Sequence, residues 1–142
     1  MIDKVEHIGL AVSDLGIALD FYRDALGLAA GEIEEVPAQQ VRLAVLPVGE
    51  TKVELLQTTS PDGPIGRFIA QRGEGIHHIC FEVKDLEQAL DHLRSQGIRL
   101  IDERPRLGAG GRRIAFLHPR SSHGVLIELS ERLAPGEEAP AL

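Results

Sequence analysis

The chain repeats itself. Residues 7–23, HIGLAVSDLGIALDFYR, and residues 78–94, HICFEVKDLEQALDHLR, share nine identities in seventeen positions at a constant offset of 71. The same offset aligns Arg42-Leu43-Ala44-Val45-Leu46 with Arg113-Ile114-Ala115-Phe116-Leu117. With three extra residues in the second copy, an offset of 74, Val53-Glu54-Leu55 meets Ile127-Glu128-Leu129. Three matches in the same order point to duplication, and duplication restricts the fold to two copies of one supersecondary unit. Half of 142 residues is small for an independent core, so the two copies are expected to share a single domain.

Each copy carries the same punctuation. An alternating stretch, Glu6 to Val12 or His77 to Val83, reads as a strand and runs into Ser13-Asp14 or Lys84-Asp85, which supply helix caps. Leu15, Ala18, Leu19 and Tyr22 then recur at helical spacing, as do Leu86, Ala89, Leu90 and Leu93. Gly27 and Gly97 stand where a helix ends in left-handed geometry, and three shorter strand-like segments follow each. The expected class is α+β: two tandem βαβββ modules forming a cupped mixed sheet around a metal site. Module one covers about 4–60, a linking helix lies at about 62–73 with Pro64 near its start, and module two covers about 75–132. The Pro-, Glu- and Ala-rich tail, 133–142, is expected to fray.

Strand parity identifies candidate ligands. Side chains alternate faces along a strand, so Ile8, Leu10 and Val12 should cover the helix while His7, Gly9 and Ala11 face away. In the second copy Ile79, Phe81 and Val83 are helix-side, which selects His78 over its neighbour His77 as the equivalent of His7. Glu54 sits between apolar neighbours, and Glu128 lies on the face opposite Val125, Ile127 and Leu129. Two histidines and two carboxylates related by the repeat suit a hard or borderline divalent ion. His92, His118 and His123 fall on a helix or in loops and are expected at the surface.

Composition narrows the classes of function. Cys80 is the sole cysteine, so an internal disulfide and a thiolate cluster are both excluded. A net charge of -7 argues against non-specific nucleic-acid binding. No apolar run approaches a membrane span and no signal-peptide pattern precedes the first strand, so a cytoplasmic location is expected.

With these residues in hand, the chain resembles the vicinal oxygen chelate superfamily, whose paired βαβββ modules carry a His/Glu/His/Glu set. Within it, VEHIGLAV, RGEGIHHICFEV, GAGGRRIAFLHP and GVLIEL are similar to the methylmalonyl-CoA epimerases, over roughly residues 4–132. The resemblance implies interconversion of the C2 epimers of methylmalonyl-CoA through α-proton removal and an enolate. It implies a divalent metal (cobalt favoured; manganese, magnesium, zinc or nickel as alternatives) on His7, Glu54, His78 and Glu128. Glu128 would also act as an acid/base, with Glu54 as a second candidate. The family commonly has Pro-Glu-Gln-Gly where this chain reads Pro37-Ala38-Gln39-Gln40; Ala38 cannot transfer a proton, so either Glu34, Glu35, Glu54 or a bound water takes that role, or the activity is reduced or the substrate altered. The loop containing Gly110, Gly111 and Arg112 reads either as a cradle for an anionic group of coenzyme A or as a plain turn. Alternative functions are a glyoxalase I-type lactoylglutathione lyase and a non-catalytic small-molecule-binding protein of the same fold. Exposed sheet edges make a homodimer the expected assembly.

Overall fold

The computed structural model describes residues 1–132; the tail expected to fray lies outside the described residues. The fold is α+β, and the chain divides into two compact units: His7–His77, and Met1–Glu6 together with the chain from His78 on.

In the first module the strands are β1 (Ile2–Ala11), β2 (Ile33–Val36), β3 (Val41–Val48) and β4 (Thr51–Thr58). They lie in the order β2-β3-β4-β1, with β1 parallel to β4 and the other pairs antiparallel. The second module repeats this with β5 (Gly75–Val83), β6 (Arg106–Leu107), β7 (Arg113–Leu117) and β8 (Ile127–Glu131), in the order β5-β8-β7-β6. Again the first and last strands run parallel. A parallel pair needs a crossover, and the helix after the first strand provides it.

Helix α1 (Leu15–Leu19) packs Leu15 and Leu19 with Val12 against Ala44, Leu46 and Leu55. Helix α3 (Leu86–Ser95) packs Leu86, Ala89 and Leu90 with Val83 against Ala115, Leu117 and Leu129. The two cores are built from the same repeat positions, so the duplication extends to the packing. Both helices start as the sequence predicts: Asp14 Oδ1 accepts from the Ile17 N–H and Asp85 Oδ1 from the Gln88 N–H, each at 3.0 Å. A second acceptor, from the last strand of the module, caps the first helical residue. The Leu15 N–H donates to Gln57 Oε1 at 2.7 Å and the Leu86 N–H to Glu131 Oε2 at 3.3 Å. Gly27 and Gly97 take φ of 78° and 76°, the left-handed geometry expected after each helix. The linking helix α2 runs Pro64–Arg72 and ends at Gly73.

Two details differ from the expectation. The first helix is regular for only five residues and continues as a π-helical stretch, Asp20–Ala25, whereas α3 is regular throughout. Val125 does not share the buried face of β8; the strand begins at Ile127 and Val125 is exposed in the irregular segment before it. Among the described residues no helix is long and apolar enough to cross a membrane.

Leu90→Ala, which empties a fully buried position in the second core, should cost about 3 kcal/mol. Asp85→Ala, which removes one cap, should cost about 1 kcal/mol. Urea unfolding of the two variants checks both the values and their order.

Candidate metal centre

Each module places one histidine beside one carboxylate. In the first, parallel pairing sets Gly9 of β1 opposite Glu54 of β4. His7, two residues earlier, therefore shares a face with Glu54, and Gly9 puts no side chain between them. His7 Nδ1 lies 3.3 Å from Glu54 Oε2. In the second, Cys80 of β5 stands opposite Glu128 of β8, and His78 Nε2 lies 3.0 Å from Glu128 Oε1. The register is the same in both copies, including the antiparallel partner of each glutamate: Val45 for Glu54 and Phe116 for Glu128. The Phe116 ring meets the His78 ring edge-on, with centroids 5.8 Å apart. All four polar side chains are buried, with residue exposures of 5–7%.

Burying a carboxylate is costly unless a partner compensates it. Here each has an imidazole, and the donors of these four side chains are nitrogen and oxygen. That chemistry fits a hard or borderline divalent cation. His77, rejected on parity, is half-buried and packs edge-on against Phe68 at 5.0 Å. The remaining histidines serve other ends: His92 lies in α3, His118 Nδ1 accepts from the Arg120 N–H at 3.0 Å, and His123 occupies a turn at φ 60°.

Sequence reasoning missed a buried ion cluster in the second unit. Arg112 Nη2 lies 3.2 Å from Glu82 Oε1 and Nη1 lies 3.6 Å from Glu6 Oε2, while Lys4 Nζ reaches Glu82 Oε2 at 3.6 Å. Glu6 and Glu82 are as deeply buried as the histidine-paired carboxylates. An available signal was the presence of acidic residues within two otherwise apolar strands. Arg112, expected as a coenzyme A contact, thus spans two internal carboxylates. The loop before it is tightly wound: the Gly108 N–H donates to the Arg112 carbonyl at 2.8 Å and the Gly111 N–H to the Gly108 carbonyl at 3.3 Å. Gly110 and Gly111 take φ of 69° and 72°. A Cβ on Gly108 would come within 2.7 Å of Ile114 Cδ1, so that close approach requires glycine.

Arg112→Met takes the bridging guanidinium from two buried carboxylates, leaving Glu82 its ion pair with Lys4, and should destabilise the protein by about 3 kcal/mol. Combining it with Glu6→Gln and Glu82→Gln should recover much of that loss, because the excess buried negative charge is gone. Thermal unfolding of the single and triple variants reads the difference.

The sequence from residue 6 to 116 matches the Glyoxalase/Bleomycin resistance protein/Dioxygenase superfamily. An ethylmalonyl-CoA/methylmalonyl-CoA epimerase of Cereibacter sphaeroides is 37% identical, over 92% of this chain and 99% of that protein. A Bacillus subtilis protein of uncharacterised function, YqjC, is 41% identical over 91% of this chain and 92% of its own length. A solved structure of a Streptomyces coelicolor methylmalonyl-CoA epimerase variant in complex with 2-nitronate-propionyl-CoA superposes with a TM-score of 0.89 at 36% identity, covering 99% of this chain and 100% of that one. The chain belongs to the Glyoxalase/Bleomycin resistance protein/Dioxygenase superfamily, also called the vicinal oxygen chelate superfamily, and is similar along nearly its whole length to methylmalonyl-CoA epimerases.

Proposed function

We propose that this protein interconverts the C2 epimers of methylmalonyl-CoA, with His7, Glu54, His78 and Glu128 holding one divalent cation. The observation that carries the reading is the pair of buried histidine–glutamate contacts, repeated in the same strand register in both modules. Identity of 37% to an epimerase acting on two alkylmalonyl thioesters supports the substrate class.

The chemistry suits the residues. A hydrogen α to a thioester is weakly acidic, and its removal sends the electron pair to the carbonyl oxygen. A divalent cation, with cobalt favoured, supplies a Lewis acid for that developing negative charge. Glu128 would give or take the proton at C2 on one face, and Glu54 would serve as a ligand of the cation. Burial of both carboxylates excludes water that would otherwise dilute their charges. On the coenzyme A side, the backbone of Gly110 and Gly111 would meet an anionic group. Arg112 bridges Glu6 and Glu82, and its guanidinium stays with them rather than with the coenzyme A. A homodimer is the proposed assembly.

Metal-loaded protein and methylmalonyl-CoA in deuterated water should give deuterium at C2, read as a one-unit mass gain and loss of the C2 proton signal. Absence of exchange with cobalt, manganese, magnesium and zinc overturns the assignment. Turnover of methylglyoxal with glutathione would replace it by the lyase reading. His78→Ala should abolish stoichiometric metal and lower turnover by about 100-fold or more.

A further inference from the structure

Arg106 of β6 differs from the other ion-paired arginines of its unit. Arg94, Arg112 and Arg113 each meet two acidic residues. Arg106 meets one, Asp102, and through Nε alone, at 3.1 Å. Among the described residues no acceptor bonds its two Nη groups. Its side chain is 42% exposed, so those donors are open to a ligand.

The guanidinium is nonetheless fixed. It lies over the face of Phe116, 5.4 Å from the ring centroid, as a cation does on an aromatic ring. Asp102 holds it from the side: Oδ1 accepts from Arg106 Nε, while Oδ2 accepts from the Phe116 N–H at 2.8 Å. The Asp102 N–H donates in turn to the Phe116 carbonyl at 3.2 Å. Ring, carboxylate and guanidinium brace one another, and a braced fork loses less freedom when it binds an anion.

This group stands beside the second histidine–glutamate pair. Phe116 pairs with Glu128, and its ring meets the His78 ring edge-on with centroids 5.8 Å apart. One aromatic ring therefore separates the guanidinium from the imidazole. The first module lacks the device. At the repeat offset Leu43 answers to Ile114 and Val45 to Phe116, so Glu34, opposite Leu43, holds the place of Arg106, opposite Ile114. A carboxylate and an aliphatic side chain there offer an anion no partner.

We infer that Arg106 binds the free carboxylate of the acyl group, and so selects acyl thioesters that carry a second, anionic end. A planar guanidinium meets a carboxylate with two parallel N–H···O bonds, and Asp102 leaves both Nη groups for that contact. The width of one ring between Arg106 and His78 suits a malonyl group, whereas the phosphates of coenzyme A lie a whole pantetheine arm from the thioester.

This inference rests on the proposed function, and a binding experiment separates the two. Cobalt-loaded wild type, Arg106→Met, Arg106→Lys and Arg104→Met are titrated calorimetrically with methylmalonyl-CoA and with propionyl-CoA, which lacks the carboxylate. Turnover of methylmalonyl-CoA, metal content and Tm are measured alongside. Wild type should bind methylmalonyl-CoA the more tightly. Arg106→Met should keep its metal and fold and narrow that difference by about tenfold or more, by weakening methylmalonyl-CoA alone. Arg106→Lys, which keeps the charge and loses the fork, should fall between. Arg104→Met, which removes an exposed charge two residues away, should match wild type. Equal affinity of wild type for the two thioesters overturns the inference, and so does a difference that survives in Arg106→Met. Equal weakening of both thioesters in Arg106→Met also overturns it, because the arginine would then serve coenzyme A. The expected binding pattern without turnover removes the epimerase activity and leaves carboxylate recognition standing. A wild type that binds neither thioester removes both.

Discussion

The parallel pairing of the first and last strands in each module is the constraint on which the other features depend. It sets a glutamate of the last strand opposite the residue two places after a histidine of the first. Because that intervening residue is Gly9 in one copy and Cys80 in the other, little bulk stands between imidazole and carboxylate. A slip of one residue would turn Glu54 or Glu128 into the apolar core under its helix, where no partner waits. The hydrophobic positions on the helix side, Leu55 and Leu129 among them, therefore fix the polar side by fixing the register.

Much of this arrangement could be read from the sequence because a duplication states each local rule twice. The caps at Asp14 and Asp85, the left-handed glycines and the distinction between His77 and His78 all follow from local spacing and parity. What could not be read depends on neighbours distant in sequence. Arg112 meets Glu6 and Glu82 only because three separate segments converge, and no spacing in the chain announces the contact. The π-helical stretch after Leu19 is equally silent, since Leu15, Ala18, Leu19 and Tyr22 fit the spacing of a regular helix. Val125 shows the limit of parity, because alternation continues on paper past the point where the strand has ended.

The two modules are alike in frame and unlike in chemical load. The first presents carboxylates at both Glu54 and Glu34 on one face of its sheet; the second adds the ion cluster around Arg112 to its histidine–glutamate pair. Duplication supplies a symmetric scaffold, and divergence at a few positions assigns each half a distinct task.

A similar divergence separates the helix anchors. Three residues beyond the metal-candidate carboxylate, the last strand of each module reaches back to the helix N-terminus, through neutral Gln57 in one and charged Glu131 in the other. Glu131 also meets Arg113 at 3.2 Å, so the second anchor is an electrostatic junction at the positive end of a helix dipole. Mobile ions weaken such a junction and leave an amide hydrogen bond nearly untouched. Ionic strength thus acts selectively on a nearly symmetric fold, loosening the strand that carries Glu128 before the one that carries Glu54.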